Sequence, residues 1–227
     1  MRTKTLLLAA AALAAGVLAS QAQSNVYSAN VVGYANVVVP AGNHFVMVAN
    51  PLTTGNDVIS NVITGAPGAT QLQYWNGSGF TTFTFNGLAK SWKVGTVVSN
   101  TLPLPPGVGF FLSSSTAFTN TFVGSVLANN GTSVTNPLPT GLSAVGAQIP
   151  YSDTVTNGAT VNLLVGGGSQ LQQWSVGAQA FNTFTYNALG HTWKVGTTAT
   201  NPVIGVAEGF FLSPSASTNW VEALNLH

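Results

Sequence analysis

Along most of the chain, apolar residues alternate with hydroxyl or amide residues in short runs, broken every few positions by Gly, Asn or Pro. From Phe80 to Phe85 the order is Phe-Thr-Thr-Phe-Thr-Phe, so an extended strand puts Phe83 and Phe85 on one face and Thr82 and Thr84 on the other. Comparable runs predict strands at Phe45–Ala49, Gln71–Trp75, Ser91–Val94, Gly109–Ser113 and Thr119–Leu127. Asn76-Gly77 and Asn86-Gly87 stand between runs, where a two-residue hairpin turn needs positive φ. One stretch has helical spacing: Val58, Ile59, Val62 and Ile63 follow Asn56 and Asp57, which suit an N-cap. Its counterpart, Asp153 to Leu164, is less periodic. Alternation with polar neighbours predicts antiparallel sheets with one wet face.

The pattern occurs twice. Gln71-Leu72-Gln73-Tyr74-Trp75 returns as Gln170-Leu171-Gln172-Gln173-Trp174. Phe80 to Thr96 then aligns without gaps on Phe181 to Thr197, with eleven of seventeen pairs identical, enough to mark a duplication. Gly109-Phe110-Phe111-Leu112-Ser113 matches Gly209-Phe210-Phe211-Leu212-Ser213, and Phe122-Val123 matches Trp220-Val221. A spacing of about a hundred residues is that of a domain. The fold expected is mainly β: two tandem antiparallel β-sandwich or partly open barrel modules, each with at most one short helix. The boundaries drawn are a signal peptide at 1–22, leader strands at 23–40, module 1 at 41–127, a linker at 128–140 and module 2 at 141–227. Val26 to Pro40 has no evident counterpart before the second module. Two readings suit it: a hairpin completing module 1, or an edge strand pairing with a neighbouring chain. The intramolecular pairing avoids an association cost.

Met1 to Ala22 reads as an export signal. Arg2 and Lys4 precede an unbroken Leu6–Leu18 run of Leu, Ala, Gly and Val, and Ser20-Gln21-Ala22 supplies small residues for cleavage. That run is too short to span a bilayer comfortably. The destination expected is secreted: extracellular, cell surface or periplasm. Charged residues are 4% of the chain, against about 25% in ordinary soluble proteins. After cleavage, Lys90, Lys93 and Lys194 would face Asp57, Asp153, Glu208 and Glu222, a near-neutral balance that favours association. There is no Cys, so a disulfide scaffold, a Cys-ligated metal and a thiol nucleophile are excluded. Nor is there the clustered basic surface that nucleic acid requires.

Each half closes on a recognisable motif: Gly107-Val108-Gly109-Phe110-Phe111-Leu112, and Ala207-Glu208-Gly209-Phe210-Phe211-Leu212. With the leader Val31-Val32-Gly33-Tyr34 and Pro40-Ala41-Gly42, these resemble a duplicated β module of uncharacterised bacterial secreted and surface proteins. The resemblance implies an architecture and no activity. Ala207 departs from the usual first Gly of the motif.

Candidate chemistry is thin. A glycosidase needs two carboxyls at a set separation. The four acids are read as unmatched between modules: Glu208 aligns with Val108, and Glu222 with Gly124. Gly77-Ser78-Gly79 lacks the first Gly of a nucleophile elbow, and no His or acidic cluster has metal spacing. The chain is therefore read as non-enzymatic, with no catalytic, cofactor or metal site. Its best-repeated polar feature is Trp92-Lys93 with Trp193-Lys194. These, with Trp75 and Trp174, are the candidate ligand residues, since indole faces stack on sugars. The competing reading packs each Trp in a core and turns each Lys to solvent. An isopeptide staple from Lys194 beside Glu208 has no equivalent acid in module 1, and a small outer-membrane barrel suits neither the short strands nor the missing terminal aromatic. The expected role is a structural or adhesive protein of the cell surface or extracellular matrix. Its partners would be itself or surface polymers, polysaccharide among them. The alternative is a pair of carbohydrate-binding modules using aromatic platforms.

Overall fold

The computed structural model describes residues 32–128, 132–155 and 161–224. The signal segment and residues 23–31 of the leader lie outside them. The chain is mainly β. Module 1 runs β1 (Val32–Val39), β2 (Val46–Ala49), α1 (Ile59–Val62), β3 (Gln71–Trp75), β4 (Phe80–Asn86), β5 (Ser91–Val94), β6 (Val97–Val98), β7 (Gly109–Ser113) and β8 (Phe118–Ser125). Module 2 runs β9 (Ser133–Leu138), β10 (Ser143–Gly146), β11 (Asp153–Thr154), β12 (Val161–Asn162), β13 (Gln170–Ser175), β14 (Ala180–Asn187), β15 (Thr192–Val195), β16 (Thr198–Ala199), β17 (Val203–Ile204), β18 (Gly209–Ser213) and β19 (Thr218–Ala223). Each module has a six-stranded antiparallel sheet, ordered β2-β7-β3-β4-β5-β6 and β10-β18-β13-β14-β15-β16. A smaller layer covers each core: β1-β8 in module 1, and β12-β19-β9 with the short β11-β17 pair in module 2.

Residues 32–39 of the leader form a single strand that pairs within the chain. β1 pairs antiparallel with β8 over its full length, Val32 opposite Ser125 through Val39 opposite Phe118. It does have a counterpart: β9 pairs with β19 in the same way, Ser133 opposite Ala223 through Leu138 opposite Thr218. The middle of the segment expected to be a linker, Ser133–Leu138, is thus a sheet strand, hidden in the sequence by Pro137. Proline cannot donate to a ladder and is tolerated because β9 is an edge.

Two local expectations are also corrected. The short helix is not capped by Asn56 or Asp57; its N-cap is Val58, without a side-chain bond. The Asp57 carboxylate instead accepts from Thr53 Oγ1 at 2.6 Å and from the Thr54 amide at 2.8 Å, pinning the preceding turn. Neither Asn76-Gly77 nor Asn86-Gly87 is a two-residue turn; four residues, 76–79, join β3 to β4. Four residues join β4 to β5, with Lys90 in the left-handed region at φ 49°. Asn86 Oδ1 accepts from the amides of Leu88 and Ala89.

The closing motif explains how the modules join. In a strand, neighbours face opposite ways. Phe110 and Leu112 point into the core of module 1 with Leu72, Phe83 and Trp92. Phe111 points out, joining Met47, Trp75 and Phe45 in a separate cluster with Phe211, Trp174 and Leu142 of module 2. The contacts are reciprocal, as across a two-fold axis. Trp75 meets Phe211 edge-on at 5.6 Å and Trp174 meets Phe111 at 5.2 Å. Phe80 and Phe181 each lie 6.1 Å from the opposite module's Phe. Trp75 Nε1 donates to Leu142 O at 2.9 Å, and Trp174 Nε1 donates to Phe45 O at 2.8 Å.

The backbones touch as well. Val48 bridges Glu208, and Val145 bridges Val108. The amides of Ala49 and Gly146 donate at 3.0 Å to the carbonyls of Ala207 and Gly107, respectively. A side chain at Gly109 would stand 2.8 Å from the Val145 amide nitrogen, and one at Gly209 would stand 2.6 Å from the Val48 carbonyl oxygen. The glycine that precedes Phe-Phe-Leu in each motif is therefore a close-approach residue. Gly209→Ala is expected to destabilise the protein by about 1–3 kcal/mol through overpacking. Gly79→Ala, where an added Cβ meets nothing within 4 Å, should unfold close to wild type. Thermal unfolding of both variants checks this.

Candidate functional site

The sheet register decides the fate of each candidate residue. Trp92 pairs with Phe85 across β4 and β5, and Trp193 pairs with Tyr186 across β14 and β15. Both indoles face their module's core and are 1% and 0% exposed. Trp220 is equally buried against Phe210. Trp75 and Trp174 are partly buried and engaged between the modules. The burial of Trp92, Trp193 and Trp220 leaves them no indole face for stacking, while Trp75 and Trp174 keep part of their surface. The physical reason is strand parity: the indoles share their faces with core or inter-module aromatics.

Lys93 and Lys194 lie on the opposite face. Lys93 stands across from Thr84, and Lys194 across from Thr185. Each lines a shallow depression at the β4–β5 or β14–β15 end of its sheet, of about 520 Å³ in module 1 and about 320 Å³ in module 2. The two linings correspond: Phe85 with Tyr186, Asn86 with Asn187, Leu88 with Leu189, and Gly95 with Gly196. Leu88 is 100% and Leu189 97% exposed, so neither contributes to packing. Sequence reasoning singled out the lysines and missed the rest. The available signal was a leucine in a polar turn, identical in both copies and outside any alternating run.

The acids do not converge on these depressions. Asp57 and Asp153 prove to be matched after all. The Leu104 amide donates to the Asp57 carbonyl, and Asp153 pairs with Ile204 at the equivalent place. Both carboxylates accept backbone amides nearby, those of Thr54 and Thr154. Glu208 accepts from the Gly205 amide at 2.7 Å and from Gln173 Nε2 at 2.8 Å. Among the described residues no three of His, Asp and Glu come together as metal ligands. No helix among them is long and apolar enough to cross a membrane.

Glu222 is the unusual acid. It is fully buried on β19 and accepts from the Gln148 amide at 2.9 and 3.1 Å. Its counterpart cannot exist in module 1, because a side chain at Gly124 would collide with the Thr53 carbonyl. Burial pushes the Glu222 carboxyl up to about 8 from its ordinary 4.5, against the smaller opposing effect of the Gln148 and Ile149 amides. Between those two values the folded chain holds one proton more than the unfolded chain. The stabilisation is therefore complete below about pH 4.5 and is lost as pH rises through about 8. The slope is about 1.4 kcal/mol per pH unit. Glu222→Gln is expected to flatten it, as read from urea midpoints at about pH 5 and about pH 8.

Comparisons of this chain with protein families, curated proteins and solved structures return no match.

Proposed function

We propose that this chain is a non-enzymatic, exported protein of the cell surface or extracellular matrix, and that it associates with copies of itself through β1. The observation that carries this reading is the unprotected edge of that strand. Among the described residues β1 pairs on one side only, with β8. It is eight residues long and contains no Pro and no charge. Its outer face presents Val32, Tyr34 and Val38 at 74%, 73% and 65% exposure, with Val123 of β8 beside Tyr34.

The other edges are guarded. β2 and β10 are bridged to the opposite module. β6, β11, β12, β16 and β17 are two residues long, and the far side of β8 is covered by the chain at Thr53, which bridges Ser125, and at Val62 and Thr64, which bond Asn120. β9 carries Pro137 where β1 has Asn36, given that Thr121 and Asn219 are equivalent partners. Long, uncharged, apolar edges are pairing templates that monomeric proteins avoid. An antiparallel pairing of two β1 strands about Asn36 sets Tyr34 of one copy opposite Val38 of the other on one face, the geometry of a favourable cross-strand pair. The scarcity of charge removes the repulsion that would oppose it.

Sedimentation velocity across a wide concentration range tests the reading. Wild type is expected to associate. Tyr34→Lys with Val38→Lys, both at exposed positions, should leave a folded monomer with an unchanged melting temperature. A wild type that stays monomeric at high concentration overturns the proposal.

A further inference from the structure

We infer that the two Lys-containing depressions are a duplicated binding site for a carboxylated polysaccharide, one acidic sugar per module. Three observations converge on it. First, the depressions repeat residue for residue, while the fold does not require their most exposed members. The core explains Phe83 and Trp92, and the inter-module contact explains Phe80. Neither explains Leu88 and Leu189, which touch solvent over almost their whole surface in both copies.

Second, the polar groups of each depression are unspent. Asn86 Oδ1 is used by the amides of Leu88 and Ala89, and Asn187 Oδ1 by those of Leu189 and Gly190. This leaves both Nδ2 groups directed to no partner among the described residues. The hydroxyls of Thr84 and Thr185 and the ammonium groups of Lys93 and Lys194 likewise have none. Each depression thus offers a cation, an amide donor and a hydroxyl.

Third, each contains apolar surface suited to the C–H face of a sugar ring: the exposed side chain of Leu88 or Leu189. The volumes fall in or just beyond the lower part of the range of small-ligand sites.

The charge selects the ligand class. One uncompensated cation per site matches one carboxylate per residue, and the Thr and Asn groups match hydroxyls. A polymer repeating that unit gains from two tethered sites. An anionic membrane would need more than a single cation at each of two separate points to hold the protein. The inference stands independently of self-association, and the Tyr34→Lys, Val38→Lys chain keeps the two apart.

Binding of that chain to immobilised polygalacturonate, compared with an uncharged glucan, is the test. Wild-type depressions should bind the polyuronate preferentially, and more weakly as salt rises. Lys93→Gln or Lys194→Gln should each weaken binding about three- to tenfold, and both together by more than the product, because the second site no longer acts as a tether. Leu88→Ser with Leu189→Ser should weaken it without changing the salt dependence. Lys90→Gln removes a cation outside the depression and should have little effect. Absence of binding, equal binding of the neutral glucan, indifference to the double lysine substitution, loss with Lys90→Gln, or preference for phosphatidylglycerol vesicles would each overturn the inference.

Discussion

The architecture depends on one steric constraint: the two modules approach so closely that backbone packs on backbone at their junction. Gly109 lies against Val145 and Gly209 against Val48, and a methyl group at either position would occupy space already filled by main chain. Because the approach is close, the amides of Ala49 and Gly146 reach carbonyls of the other module. The same proximity brings Phe111 and Phe211 to 6.4 Å, so that each can accept the indole edge of its opposite number. Such pairs add about 0.5–1.5 kcal/mol each beyond area burial. The aromatic cluster is a result of the glycine contact as much as a cause of it.

Much of this could be read from residue order. The strands at Gln71–Trp75, Ser91–Val94 and Gly109–Ser113 fall where alternation and turn residues put them. The duplication located four strands of each six-stranded sheet, β3, β4, β5 and β7 with β13, β14, β15 and β18, while β2 was read from its own apolar run and the two-residue β6 and β16 went unseen. Less legible was which apolar face meets what. Gly-Phe-Phe-Leu is a continuous apolar run, and such a run signals burial on both faces without naming the partners. Trp75 and Trp92 look alike in sequence, and only the register sends one to the junction and the other to a core. β9 escaped notice because Ser-Val-Thr-Asn-Pro-Leu has little alternation and contains a proline. It is held as a strand by β19, a partner eighty residues away in the chain.

The scarcity of ionic groups changes what the few remaining ones can do. Asp57, Glu208 and Glu222 are each absorbed by backbone amides, and the lysines at 93 and 194 face solvent beside hydroxyls and amides. Positive charge is thus left on exposed Lys90 and at the two symmetric lysines, while Asp57 and Glu208 are held by backbone amides and burial keeps Glu222 protonated at neutral pH. A protein with a net charge near zero can in this way still carry a directed local field. Three buried indole nitrogens, those of Trp92, Trp193 and Trp220, lack acceptors. Each such donor costs about 1–3 kcal/mol, which the surrounding aromatic packing must offset.

Pro137 gives the two halves different valence. The surface that would make either module sticky on its own is already consumed in the union of the two halves, and proline blunts the outer strand of the second. Among the described residues one long, uncharged edge without a neighbour remains, that of β1. Contact between identical edges closes on itself about a dyad, so growth along that route stops at a pair, and any longer filament would have to recruit a surface unrelated to the ladder.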